Sequence, residues 1–123
     1  MSTPRRTQKM SSLIRAELAR VLTQEISDPS LSDLTITEVE LTNDLKLARV
    51  YFTSSAPEVS PKKEKEIGRG FHRAAPYFRR KIGENLEVRY VPELEFIRDK
   101  HGESVNRLMH LMDEVGPGHG EPK

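Results

Sequence analysis

The chain has 123 residues, 35% hydrophobic and 32% charged, with 20 Lys/Arg against 19 Asp/Glu for a net charge of +1; this is the balance of one soluble globular domain. It contains no cysteine, which excludes a disulfide scaffold, thiolate metal sites and a cysteine nucleophile and fits a reducing cytoplasm. No apolar run approaches the roughly 20 residues that cross a bilayer, and Met-Ser-Thr-Pro-Arg-Arg-Thr-Gln lacks the apolar centre of a signal peptide, so a cytoplasmic protein with no membrane segment is expected.

Charge is blocked along the chain. Residues 1–24 carry five Arg/Lys and one Glu, residues 25–45 six acids and no Arg/Lys, residues 46–83 ten Arg/Lys and three Glu, and residues 84–123 five Arg/Lys and nine acids. Such segregation can present a basic face suited to nucleic acid and an acidic face suited to a cationic partner.

A basic arm, residues 1–6, precedes a helix expected over 7–27. There Met10, Leu13, Ile14, Leu18, Val21, Leu22 and Ile26 recur at three and four, and Asp28-Pro29 stops the run. Leu34 to Thr42 alternates as a strand, with Thr37, Val39 and Leu41 on one face and Glu38 and Glu40 on the other. Leu34 and Ile36 have the opposite parity, so either a bulge lies near Ile36 or that end is covered on both faces. Asn43-Asp44 supplies a turn. Lys46 to Ser54 returns as a second strand, with Ala48, Val50 and Phe52 inward.

Ser60 and Pro61 are a cap and a first residue for the next helix, whose first turn holds Lys62, Lys63 and Lys65 against the dipole preference for acids. From Gly68 to Gly83 there is no acid. Ile67, Phe71, Ala75, Phe78, Ile82 and Leu86 form a core stripe, and Arg69, Arg73 and Arg80 fall together opposite it. Pro76 lacks an N–H for the carbonyl of His72 and crowds it, so the stretch reads as helix, kink at Ala74-Ala75-Pro76, and second helix, whose first turn attracts anions. Glu87 to Ile97 alternates as a third strand with Val88, Tyr90, Leu94 and Phe96 on one face; Pro92 puts it at an edge or a bulge. A last amphipathic helix is expected over 102–115. Residues 116–123 form a Gly/Pro-rich tail expected to be disordered.

Catalysis has little support. The four histidines lack metal-ligand spacing, and no nucleophile elbow, phosphate loop or dinucleotide glycine pattern is present. Glu93 and Glu95 share a strand face in the manner of solvated residues rather than an acid/base pair. With no tryptophan and seven Phe/Tyr, most on expected core faces, a sheet platform that stacks bases is also disfavoured. The expectation is a binding protein without enzymatic activity, metal or cofactor.

The order of elements up to the last helix is that of an α+β domain of the type II KH class, with Ala74-Ala75-Pro76 where a Gly-x-x-Gly loop would clamp the backbone. Asp28-Pro29-Ser30-Leu31, Asp44-Leu45, Ala48-Arg49-Val50-Tyr51, the Ala74 to Arg79 joint and Val91-Pro92-Glu93-Leu94-Glu95-Phe96-Ile97-Arg98-Asp99 together resemble the ribosome-binding factor A family from about Arg5 to Leu111. The resemblance implies a KH-like fold over residues 7–115, with a kinked helix in place of the loop. It also implies binding to the immature small (30S) ribosomal subunit and support of late 16S rRNA maturation, including its 5′ end. Growth in the cold, a cytoplasmic monomer and release by an assembly GTPase are further implications. Pro76 departs from the family, which often has glycine there.

The candidate phosphate contacts are Arg69, Arg73, Arg79, Arg80 and Lys81, then Lys62, Lys63, Lys65, Arg49 and Lys46. The rival expectation is a protein-interaction adaptor working through an acidic face at Glu38, Glu40, Glu93 and Glu95.

Overall fold

In a computed structural model of the protein, residues 5–100 are described. Their elements run α1 (Arg5–Gln24), a 3-10 turn (Pro29–Leu31), β1 (Leu34–Leu41), β2 (Leu47–Ser54), α2 (Pro61–Asn85) and β3 (Glu93–Arg98). The expected helix over 102–115 and the tail 116–123 lie outside the described residues. Of the expected arm, Arg5 and Arg6 belong to α1 and are exposed.

One mixed sheet in the order β1-β2-β3 forms one layer, with β1 and β2 antiparallel and β2 and β3 parallel. A parallel pair needs a crossover, which α2 supplies. Ala48, Val50 and Phe52 of β2 are buried on one side with Ile14, Leu18, Val21, Ile67, Phe71 and Phe78, so both helices cover that face and no described element covers the other. Phe71 stacks on Phe96 at 4.0 Å between ring centroids and meets Phe52 at 4.9 Å.

The parity conflict in β1 is resolved by a bulge. Ile36 pairs with Phe52 and Glu38 with Tyr51, leaving Thr37 as the extra residue. Leu34, Ile36, Val39 and Leu41 then all point into the core, while Thr37 is exposed. The third strand is shorter than its alternation suggests. Residues 87–92 are irregular, Pro92 ends the pairing, and Tyr90 leaves the expected core face for solvent.

The largest correction concerns the joint. Pro61–Asn85 is a single α-helix of 25 residues with Pro76 inside it, not two separate helices. Ile67, Phe71, Ala74, Phe78 and Ile82 keep one buried stripe across the proline, with Ala74 rather than Ala75 facing the core, while Pro76 itself is exposed. Each large side chain in that stripe adds about 1.5–3 kcal/mol on burial. Together they outweigh the ~3 kcal/mol cost of an interior proline. With its ring outward, the proline leaves the orphaned His72 carbonyl on the solvent side, where water can satisfy it.

No second helix N-terminus therefore exists at the joint to attract anions. Pro76→Ala should restore one backbone bond and raise stability by about 1–2 kcal/mol. That is less than the full propensity difference because the proline also restricts the unfolded chain. Thermal melts of the two forms test it, and a lower melting temperature for the alanine form would mean that the helix depends on the ring.

Candidate nucleic-acid interface

The helix α2 starts where its sequence says it should: the Ser60 hydroxyl accepts from the Lys63 N–H at 3.1 Å, and Pro61 follows at the first position. Its side facing away from the sheet carries Lys62, Lys65, Arg69, Arg73 and Arg80, all exposed. At 1.5 Å per residue the row spans roughly 27 Å. Glu66 and Glu84 lie along one border of it.

These cations are not equally free. Lys62, Lys65 and Arg69 have no acid in ion-pairing range among the described residues. Arg73 donates to the Asp28 carboxylate at 2.8 and 3.2 Å yet keeps its side chain 58% exposed. Arg80 lies 3.7 Å from Glu84, with its guanidinium 4.9 Å from the Tyr77 ring centroid. A cleft of about 420 Å³ lies beside the row, between the 3-10 turn and α2, lined by Asp28, Ser30, Lys63, Glu66, Arg69 and Arg73.

Five residues chosen from the sequence fall elsewhere. Arg79 turns inward and donates to the Val91 and Pro92 carbonyls at 2.9 and 3.0 Å, with Glu93 at 3.5 Å, tying α2 to the start of β3. Lys81 faces α1 and pairs with Glu25 at 3.5 Å and Glu84 at 3.6 Å. Lys63 is held by Asp33 at 2.9 Å. Arg49 stands on the open sheet face between Glu40 at 3.6 Å and Glu95 at 3.5 Å. Lys46 is exposed in the β1–β2 turn, away from the helical row.

The open face is thus mainly acidic, with Glu38, Glu40, Glu93 and Glu95 exposed. It lies on the other side of the domain from the cationic row. The helical period places residues around an axis, but what each meets depends on partners distant in the chain. Asp33 and Glu25 could not be assigned to Lys63 and Lys81 from the sequence.

Behind the row a polar cluster joins the end of α1 to α2. The Tyr77 hydroxyl donates to Glu25, and Arg20 donates to Glu25 at 2.6 Å and to Glu17 at 2.7 Å. Hydrogen bonds from Tyr77 first and Arg20 second hold the Glu25 carboxyl at about 2, against an ordinary 4.5. Ser30 and then Arg73 lower that of Asp28.

Depressed carboxylates contribute stability that is present above the unfolded value and is lost as pH falls through the folded one. The melting temperature should therefore hold from pH 7 to about 5 and fall from about 4.5 toward 2. Tyr77→Phe, which removes the leading cause, should shrink that fall. An equal acid-induced drop in both proteins would mean that the Tyr77 hydrogen bond is not what lowers Glu25.

Among the described residues no group of three or more His, Asp or Glu could hold a metal, and no helix is long and apolar enough to cross a membrane. A cationic helix on one side of a small sheet, with exposed glutamates on the other, defines a domain built to bind a charged partner. The profile of the ribosome-binding factor A family matches residues 6–112, and the chain belongs to that family. It is similar to ribosome-binding factor A of Aromatoleum aromaticum, 36% identical over 110 residues, or 89% of this chain and 84% of that one. The crystal structure of ribosome-binding factor A from Thermus thermophilus aligns with a TM-score of 0.65 at 25% identity, covering 75% of this chain and 93% of that one. A homology model of the Thermus thermophilus protein, fitted into the cryo-EM map of its 30S complex, aligns with a TM-score of 0.51 at 27% identity, covering 69% of this chain and 90% of that one.

Proposed function

We propose that this protein is a non-enzymatic maturation factor that binds the 30S ribosomal subunit, and that the outward row of α2 docks on rRNA phosphates. Membership of the family supports the subunit as partner. The observation that carries the mode of binding is the row itself: three uncommitted cations, Lys62, Lys65 and Arg69, are continued by Arg73 and Arg80 on one helix. Arg73 can exchange Asp28 for a phosphate without moving its backbone.

Bound in this way, the domain stabilises one conformation of immature 16S rRNA while its 5′ end is processed, until an assembly GTPase releases it. The fold acts as a KH-like module in which a continuous α2 replaces the clamping loop. Arg79, Lys81 and Arg49 leave the set of proposed phosphate contacts because each is committed within the protein. The acidic sheet face orients the domain by turning away from the phosphate backbone.

If the five row cations neutralise about five phosphates, the logarithm of the binding constant for immature subunits should fall against log salt with a slope of roughly −3 to −5. A slope near zero would remove the electrostatic mechanism. Copurification after nuclease treatment tests the adaptor reading, since an adaptor on its acidic face keeps its partner and an RNA binder loses it.

A further inference from the structure

An apolar groove of about 370 Å³ lies between the first turns of α1, the β1–β2 turn and the segment before β3. Its floor includes Ile14 and Leu41, which are buried, and the partly buried Met10 and Val88. Leu45 and Tyr90 stand at its mouth, 38% and 73% exposed. Neither belongs to the cationic row.

Tyr90 is the most exposed large hydrophobic residue among those described. The Arg89 guanidinium lies over its ring, 5.7 Å from the centroid. At 73% exposure the Tyr90 ring keeps a face open to solvent on which a planar partner can stack.

Leu45 has φ 63, in the left-handed region. That conformation costs a leucine about 1–2 kcal/mol, whereas glycine or asparagine would adopt it readily. The hairpin turn sets this geometry, with the Leu45 N–H donating to the Thr42 carbonyl at 2.8 Å, and it leaves an apolar side chain at the mouth of the groove. Arg6 and Arg89 also line the groove, and neither has an acid in ion-pairing range among the described residues.

An apolar slot with an accessible aromatic ring and two guanidinium groups that no described acid pairs fits one class of ligand, a single unpaired nucleotide. We propose that an unpaired rRNA base enters this groove, stacks on Tyr90 against Leu45, and has its phosphate held between Arg6 and Arg89. Asp44 and Glu87 line the same groove. Their charge keeps phosphate off the floor, and their oxygens can accept from a base's amino group. This deepens the small-subunit reading and rests on it: the row grips a backbone while the groove takes a base.

The test is a photocrosslink from the full chain bound to immature small subunits, using Tyr90→p-benzoylphenylalanine. Adducts on an unpaired rRNA nucleotide are expected. Adducts on a ribosomal protein or on paired RNA, or none while the chain still cosediments, would overturn the proposal and leave the small-subunit reading standing. A wild-type chain that fails to cosediment would overturn both.

Affinity gives a second readout. Tyr90→Ala should weaken subunit binding about 5- to 150-fold, the range of one stacked base. Tyr90→Phe should stay close to wild type, and neither should change the salt slope, because stacking releases no counterions. An alanine form that binds as tightly as wild type would also overturn the proposal.

Discussion

Replacing Lys65 and Arg69 together with alanine should weaken binding to immature small subunits by at least about 150-fold, because each charged hydrogen bond to phosphate contributes roughly 1.5–3 kcal/mol. It should also flatten the salt dependence by about 1.4–1.8 units of slope, the release expected from two phosphates. Both residues are exposed, and neither is engaged by an acid among the described residues. Their removal should therefore leave the melting temperature close to wild type, as surface changes usually stay within about 0.5 kcal/mol. Filter binding across a salt series beside thermal melts provides the measurement. Arg79→Ala is the informative contrast, because it releases the Val91 and Pro92 carbonyls and should lower stability while leaving the slope unchanged. If the double variant keeps both wild-type affinity and wild-type slope, the docking surface is not this side of α2.

Gly70→Val should destabilise the domain by about 1–3 kcal/mol or more, even though it removes a glycine from a helix interior. A Cβ at position 70 would lie 2.2 Å from the Ser30 Oγ and 3.0 Å from a Leu31 methyl. Ser30 has little freedom to yield, since its hydroxyl donates to Asp28 at 2.7 Å in the cluster that also holds Arg73. Gly68, two residues away, has nothing within 4 Å of the same ideal atom. Gly68→Ala should accordingly gain up to about 1 kcal/mol from helix propensity alone. Chemical denaturation of the two variants should move the midpoint in opposite directions. A stabilised Gly70→Val would mean that the 3-10 turn and α2 can separate without cost.

These two glycines mark what could be read from the sequence and what could not. Alternation and helical period are local, and they located the hairpin, the inward set Ala48, Val50 and Phe52, the core stripe of α2 and the irregularity beside Ile36. They also put Arg69, Arg73 and Arg80 on one side of a helix. Pro76 misled because its rule is local too, whereas the continuity of α2 is settled by Phe71 and Phe78 packing on either side of it. Tyr90 points to solvent because strand parity does not extend across Pro92, where pairing ends. The commitments of Lys63, Lys81, Arg79 and Arg49 arise from residues 30, 56, 12 to 14, and 9 or 46 positions away, and periodicity has no access to such partners.

The parallel pairing of β2 with β3 fixes the order in which this protein can be completed. Leu47 cannot meet Glu93, nor Val50 meet Phe96, until the whole crossover has been synthesised. While the chain is still growing, β2 offers an unpaired edge and Phe71 lacks the ring that stacks on it. Nonlocal pairing of this kind is slow to form, and an open edge invites other strands. The period of greatest vulnerability to misassociation is therefore the interval between release of α2 and release of residue 98 from the ribosome that makes it.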